Sequence, residues 1–430
     1  MIRPQLEEFM RRMSPRSVAI IPSAREATRS NDTHYRFRQD SDFFYLTGFE
    51  EPESIAVIRA DKDPKYTLFV RPRDPEREIW DGRRAGVEGA KNEFGANESF
   101  PIVEFDEKLR ELIEGADVLY YRLGVTRDLD DTIIGEINRM RAVNRKPVHP
   151  PHTIVEPATI VHEMRVLKSS DEIELMQRAA DIAAEAHCEA MKAARPGMQE
   201  YEVEALIERI FRQRGASAPA YTSIVGAGAN ATVLHYINND GELHDGDLLL
   251  VDAGAEYKGY ASDITRTFPI NGRFTKPQRE IYDLVLKAQT SCVEMVRPGT
   301  THDQLKQHSI EVLTEGMAEL GLLKGKTEDL IKEKKYEKFY MHGLGHMLGI
   351  DVHDVGRYYF DGESRALEPG VVMTVEPGIY ISPDSKEVPE QYLGIGIRIE
   401  DDVLCTDSGP RVLTTKVPKA ADEIESLMAR

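Results

Sequence analysis

The chain has 430 residues, 41% hydrophobic and 30% charged, with a formal net charge of −19 at pH 7. That length exceeds one compact core and predicts two domains, while the composition is that of a globular protein. The acidic balance argues against nucleic-acid binding, and no apolar run reaches the ~20 residues that span a bilayer, so no membrane role is expected.

The opening "MIRPQLEEFMRRMSPRS" is charged throughout and lacks an apolar h-region, so no signal peptide is expected. "ESIAVIRA" and "KYTLFVRP" read as strands, and "FDEKLRELIEG" and "DLDDTIIGEINRMRAVN" as helices. Residues 144–160 hold four prolines and mark the expected boundary between domains 1–160 and 161–430. Ser169, three residues before Glu172, forms a capping-box pattern ahead of a long helix that Pro196 and Gly197 stop. Cys188, Cys292 and Cys405 are scattered and form no CxxC, which suits a reducing, cytoplasmic compartment.

An internal repeat follows. "RPG" occurs at 195–197 and 297–299, each copy ending one helical run and leading into another. Later in each half comes a matched strand, "GDLLLVDAG" at 246–254 and "GVVMTVEPG" at 370–378, which puts Asp252 and Glu376 in the same slot. Each half is then expected to carry a second acid within a strand, Asp263 and Glu400. Aspartate is depleted in strands and is rarely buried without a partner, so these acids ask for an explanation. In "LGIGIRIED", strand alternation puts Ile395, Ile397 and Ile399 on one face and Gly396, Arg398 and Glu400 on the other. In the same way Ala261, Asp263 and Thr265 share a face.

Histidines complete the pattern. His342, His346 and His353 fall within twelve residues of "MHGLGHMLGIDVH", whose glycines predict a loop, and His235 lies in "ATVLHYINND". Four converging carboxylates would repel, and two divalent cations would balance their charge. Carboxylates with one imidazole suit Mn²⁺, Co²⁺ or Zn²⁺, and two such ions can hold a bridging hydroxide that attacks a carbonyl. Other motifs fail: "HEMRV" has Val166 where HExxH needs His, and "GAGANA" ends in Ala where GxGxxG needs Gly.

In "LLLVDAGAEYKGYASDITRTFPINGRF", "MHGLGHMLGIDVHDVG", "LEPGVVMTVEPGIYI" and "EQYLGIGIRIEDDV" the sequence resembles the aminopeptidase P (Xaa-Pro aminopeptidase) family of pita-bread metallopeptidases. "RQDSDFFYLTGFEEPES" and "REIWDGRRAG" resemble that family's smaller N-terminal domain. The resemblance implies an α/β fold. Its C-terminal pita-bread domain has a curved antiparallel sheet with a pseudo-two-fold repeat, and its N-terminal α/β domain has a mixed sheet. It implies two metal ions, usually Mn²⁺, on Asp252, Asp263, His346, Glu376 and Glu400, with Asp263 and Glu400 bridging. Glu376 would also take a proton from the attacking water. His353 would hydrogen-bond the substrate carbonyl, His235 and His342 would line the proline pocket, and Arg398 and Tyr380 match further polar site residues. Trp80 matches an aromatic that reaches a neighbouring subunit's site in a dimer or tetramer; Asp32 and Tyr221 match further contributors.

The implied substrates are peptides with N-terminal Xaa-Pro. Their scissile amide is tertiary, with no N–H to donate, so a peptidase that binds that N–H fails on them. A prolidase, restricted to Xaa-Pro dipeptides, is the alternative within the superfamily. A non-catalytic peptidase-like binding module and a creatinase-like enzyme are disfavoured because all five ligand types are present.

Overall fold

The computed structural model describes residues 2–143 and 147–429. Residues 144–146, which open the proline-bearing stretch and include the last position of the helix expected over 128–144, lie outside them. The chain forms two compact units that divide between Met164 and Arg165, inside the helix Ala158–Val166 rather than at residue 160. His162, on the earlier part of that helix, pairs through Nε2 with Asp42 at 3.0 Å, within the first unit. Arg165 pairs with Asp351 and Asp354 in the second.

The first unit is built on a six-stranded sheet in the order Glu98–Pro101, Tyr66–Val70, Ile55–Arg59, Ser17–Pro22, Val118–Tyr120, Thr153–Val155. The three central strands pair antiparallel and the outer ones parallel, so the sheet is mixed. Ile55–Arg59 and Tyr66–Val70 are buried at every position, as strands covered on both faces require. The helices Phe105–Ile113 and Arg127–Ala142 turn Leu109, Leu112, Ile133 and Ile137 into one core with Val18, Ile20, Val57 and Phe69.

The second unit opens with the helix Ser170–Ala193. Its capping box is formed, with Ser169 N–H donating to Glu172 Oε2 at 2.9 Å. The repeat is visible in the backbone that follows. Gly197 N–H donates to Leu243 O, and Leu243 N–H to Met198 O, both at 2.8 Å. In the other half Gly299 N–H donates to Leu367 O at 3.0 Å, and Leu367 N–H to Thr300 O at 2.7 Å. Each RPG therefore docks nine residues ahead of an acid, Asp252 in one half and Glu376 in the other. The helices Glu200–Gln213 and His302–Glu319 start from these docked segments.

The strands repeat as well. Leu248–Asp252 pairs antiparallel with Thr265–Pro269, and between them lies the paired hairpin Ala255–Tyr257 and Tyr260–Ala261. Val372–Val375 pairs antiparallel with Asp401–Thr406, and between them lies the hairpin Gly378–Ile381 and Ile395–Arg398. Ile379, Ile381, Ile395, Ile397 and Ile399 bury one face against the helices. Gly396 lies on the other, where an added Cβ would overlap Ala231 O.

One expectation needs correction. Asp263 and Glu400 are not within strands: each occupies the break between a hairpin and the strand that follows it. The backbone leaves the ladder at these points, so its polar groups find other partners. Asp263 N–H donates to the Asp402 carboxylate at 3.1 Å, and Glu400 N–H to Thr265 O at 3.1 Å. Among the described residues no helix is long and apolar enough to cross a membrane.

Candidate active site

The two acids that end the matched strands and the two in the matched breaks line one cavity of about 390 Å³ in the second unit. His235, His342, His346, His353, Tyr221 and Arg398 line it too. Asp263, His346 and Glu400 offer ligand atoms that all lie within 4.8 Å of one another. His346 Nε2 is 3.4 Å from Asp263 Oδ2 and 3.5 Å from Glu376 Oε1. Its Nδ1 is 3.1 Å from Met347 O, so a proton there leaves Nε2 facing the acids.

Asp252 stands at the edge of this group, held by two other side chains. Arg398 Nη2 donates to its Oδ2 at 2.5 Å and the Tyr221 hydroxyl to its Oδ1 at 2.5 Å. The same hydroxyl also contacts Asp263 Oδ1, so Tyr221 sits between the two aspartates. Arg398 further donates from Nη1 to the Tyr380 hydroxyl at 3.0 Å and from Nε to Thr265 Oγ1 at 3.1 Å. Tyr380 in turn meets His342 Nε2 at 2.9 Å. A polar chain thus runs from Asp252 through Arg398 and Tyr380 to His342.

Burial pushes the Glu376, Asp263 and Glu400 carboxyls above the ordinary range; neighbouring acids come next for Asp263 and Glu400, whereas His346 and Arg398 partly oppose the rise at Glu376. Burial disfavours a charged His346, but Asp263 and Glu376 more than offset it and hold its pKa at about 9. Burial, aided by Arg398, lowers His342 to about 4, so that ring is neutral. Burial lowers His353 as well, with His346 adding to the effect; the two rings meet edge to face at 4.4 Å. Acids that resist ionisation, grouped around one imidazole, are a donor set short of positive charge. Oxygen ligands with a single nitrogen fit divalent Mn²⁺, Co²⁺ or Zn²⁺, so the residues present suit such ions.

Of three supporting residues, Thr265 is already placed beside Asp263 by alternation, while Thr374 and Asp402 escape a sequence reading of the site. Thr374 Oγ1 accepts from His346 N–H at 3.0 Å and contacts Glu376 Oε1 at 3.2 Å. Thr265 Oγ1 donates to Glu400 Oε2 at 2.6 Å. Thr374 lies two positions before Glu376, a spacing that carries its signal, whereas the bond from Thr265 to Glu400 spans 135 residues. Asp402, held against Asp263 N–H, gives no local signal. Tyr380 is buried and bonded to the cavity-lining His342 and Arg398 without lining the cavity itself, while Trp80 and Asp32 belong to the first unit, where Trp80 is 86% exposed.

A mixed-sheet first unit, a duplicated antiparallel second unit and, at the duplication, a buried cluster of acids and one imidazole suited to divalent ions point to a metal-dependent hydrolase. The chain matches metallopeptidase family M24 over residues 174–407 and the aminopeptidase P N-terminal domain over residues 4–120. It belongs to family M24, with the added N-terminal domain of aminopeptidase P. Xaa-Pro aminopeptidase of Escherichia coli is 47% identical over 98% of this chain and 97% of its own length. That of Haemophilus influenzae is 47% identical over 97% and 94%. The solved aminopeptidase PepP of Pseudomonas aeruginosa is 48% identical, with a TM-score of 0.97 over 100% of this chain and 99% of its own. A Zn-substituted E. coli aminopeptidase P in complex with product is 46% identical, with a TM-score of 0.95 over 99% and 96%.

Proposed function

We propose that the chain is a metal-dependent aminopeptidase that releases the N-terminal residue from peptides with proline in second position. The observation that carries this is the meeting of Asp263, His346 and Glu400 within 4.8 Å, in a chain nearly collinear with Xaa-Pro aminopeptidases. Asp252, Asp263, His346, Glu376 and Glu400 would hold two divalent ions, Mn²⁺ in our reading. Bound there, the ions supply Lewis-acid activation of water and of the scissile carbonyl.

The side chains do the rest. Glu376, buried and above the ordinary carboxylate range, accepts the proton that the attacking water loses and returns it to the departing proline nitrogen. His353, at the cavity wall, donates to the carbonyl oxygen as it gains charge. His235 and His342 bound the space for the ring, Tyr380 supports His342 through its hydroxyl, and a neutral His342 suits an apolar guest. Arg398 holds Asp252 and Tyr380 in place. In the oligomer, a dimer or tetramer, Trp80 would complete the site of a neighbouring subunit. Three free cysteines suit a reducing, cytoplasmic setting.

The test is substrate length. With Mn²⁺, the purified protein cleaves Xaa-Pro-Yaa peptides after the first residue, and Glu376→Ala or Asp263→Ala abolishes this. The prolidase alternative, not favoured by the relatives, requires cleavage of Xaa-Pro dipeptides alone.

A further inference from the structure

The repeat contains a second pair of equivalent residues, away from the acids. The matched hydrogen bonds of Gly197 with Leu243 and of Gly299 with Leu367 set the two RPG segments in register. Three positions beyond each glycine stand Glu200 and His302, each the first residue of its helix. They differ in chemistry and share a geometry, since each reaches into a loop that lines the active-site cavity.

Glu200 is fully buried and accepts four hydrogen bonds. Oε1 takes Ala227 N–H at 2.7 Å and Asn230 Nδ2 at 2.9 Å; Oε2 takes Gly241 N–H at 2.7 Å and the Tyr236 hydroxyl at 2.9 Å. These donors bracket the loop that brings Leu234, His235 and Ile237 to the cavity. Gly241 is needed for the approach, because a Cβ there would come within 3.0 Å of the Glu200 carboxyl. In the other half His302 Nε2 meets Gly345 O at 3.0 Å, and its ring lies edge-on to Tyr358 at 5.3 Å between centroids. The Tyr358 hydroxyl takes Met347 N–H at 2.7 Å. The peptides on both sides of His346 are thereby fixed.

We propose that Glu200 and His302, at equivalent positions of the repeat, are positioning residues with divided labour. Glu200 sets the substrate side of the site through the loop of His235, and His302 sets the metal side through the peptides flanking His346. The substrate arm rests on the aminopeptidase reading, and the metal arm on the proposed role of His346 as a ligand. Glu200 recruits side-chain and backbone donors from a single loop, so loss of one oxygen loosens that loop without touching a metal ligand. His302 holds the carbonyl of the peptide that joins Gly345 to His346. Partners bonded directly to a ligand alter metal affinity by roughly 10–100-fold, and the low end of that range is expected one bond further out.

The experiment compares His302→Leu, His302→Gln, Glu200→Gln and the milder Tyr236→Phe with the parent protein. Mn²⁺ affinity of the metal-free proteins is read by calorimetry, kcat and KM on an Xaa-Pro-Yaa peptide at saturating Mn²⁺, and the thermal midpoint alongside. His302→Leu is expected to weaken Mn²⁺ binding about tenfold, and His302→Gln, whose amide can still donate to Gly345 O, to restore it to within about threefold. Glu200→Gln is expected to leave Mn²⁺ affinity within about twofold and lower kcat/KM about tenfold, chiefly through KM, with Tyr236→Phe moving the same way. Unchanged Mn²⁺ affinity in His302→Leu overturns the proposal. So does a loss of affinity and turnover in all variants that simply tracks their thermal midpoints. A parent protein that binds Mn²⁺ but cleaves no Xaa-Pro peptide ends the aminopeptidase reading, while the calorimetry still decides the role of His302.

Discussion

Arg398 Nη2 lies 2.5 Å from Asp252 Oδ2, in a pair with side-chain exposures of 4% and 12%. The guanidinium also donates to Tyr380 and Thr265. Lysine, a point donor, cannot reproduce that three-way fork. Arg398→Met leaves Asp252 buried without its cation. It is expected to cost about 3 kcal/mol of stability and to lower kcat/KM at least about 100-fold. Arg398→Lys is expected to recover some stability but little activity. Recovery of full turnover by Lys would show that charge alone matters there.

Glu376 is the proposed proton acceptor. Glu376→Gln keeps the side-chain shape and the contact with Thr374 but cannot take a proton. The expected loss in kcat is roughly 10²–10⁴-fold, with KM changed far less. Steady-state kinetics at saturating metal checks this, and a kcat within a few-fold of the parent rules the role out.

Removing metal with a chelator exposes the acids to one another. Asp263, Glu376 and Glu400 have folded-state pKa values raised by burial, so their protonated forms stabilise the metal-free protein. That contribution is fully present below the ordinary carboxylate pKa and is lost as pH rises through the raised values. The chelated protein is therefore expected to melt lower than the Mn²⁺ form, by an increment that widens from pH 5 to pH 8. Occupancy at 100 times Kd is worth about 2.7 kcal/mol. Calorimetric melting at several pH values decides it, and an increment that shrinks with pH contradicts it.

His187 gives a second pH effect, from behind the strand end that carries Asp252. Its ring is fully buried, with Nε2 2.9 Å from Ala253 O, and Nδ1 has no partner among the described residues. Burial, and then Arg266, lowers its pKa from 6.5 to about 4. Here the folded state resists a proton that the unfolded chain accepts. Stability is therefore unaffected above pH 6.5 and declines as pH falls towards 4, by up to about 3 kcal/mol. His187→Gln is expected to melt lower than the parent at pH 7.5, with the gap narrowing by pH 5. A constant gap would show that the ring is not the source.

Asp354, next to His353, is held by Lys168 Nζ at 2.9 Å and Arg165 Nη2 at 2.6 Å, all three buried. Burial alone would raise this carboxyl, but the two cations keep it below the ordinary range. Lys168→Met is expected to cost about 3–5 kcal/mol, lowering the thermal midpoint of the second unit by roughly 5–15 °C. A shift under 2 °C would mean that Arg165 alone suffices.

Local chemistry explains what is legible in the sequence. The capping box at Ser169, the strand alternation of Ile395–Ile399 and the loop of His342–His353 each depend on neighbours within a few residues. The RPG repeat and its matched glycines pair Asp252 with Glu376 by spacing alone. The breaks at Asp263 and Glu400 are hidden, because what frees the backbone there is distant: Asp402 caps Asp263 from 139 residues away. The buried Arg266 is hidden likewise, since its partners Asp401 and Val417 come from the end of the chain. A charge run such as "EDD" at 400–402 does not reveal that Glu400 faces the cavity, Asp401 faces Arg266 and Asp402 faces a main-chain amide.

The most direct measurement is hydrolysis of a matched set, Xaa-Pro-Yaa, Xaa-Ala-Yaa and Xaa-Pro, by Mn²⁺-loaded protein with and without chelator, the released residue identified by mass. The expected result is metal-dependent release of Xaa from Xaa-Pro-Yaa and little from Xaa-Ala-Yaa. Cleavage of Xaa-Pro alone, or cleavage that survives the chelator, would contradict it.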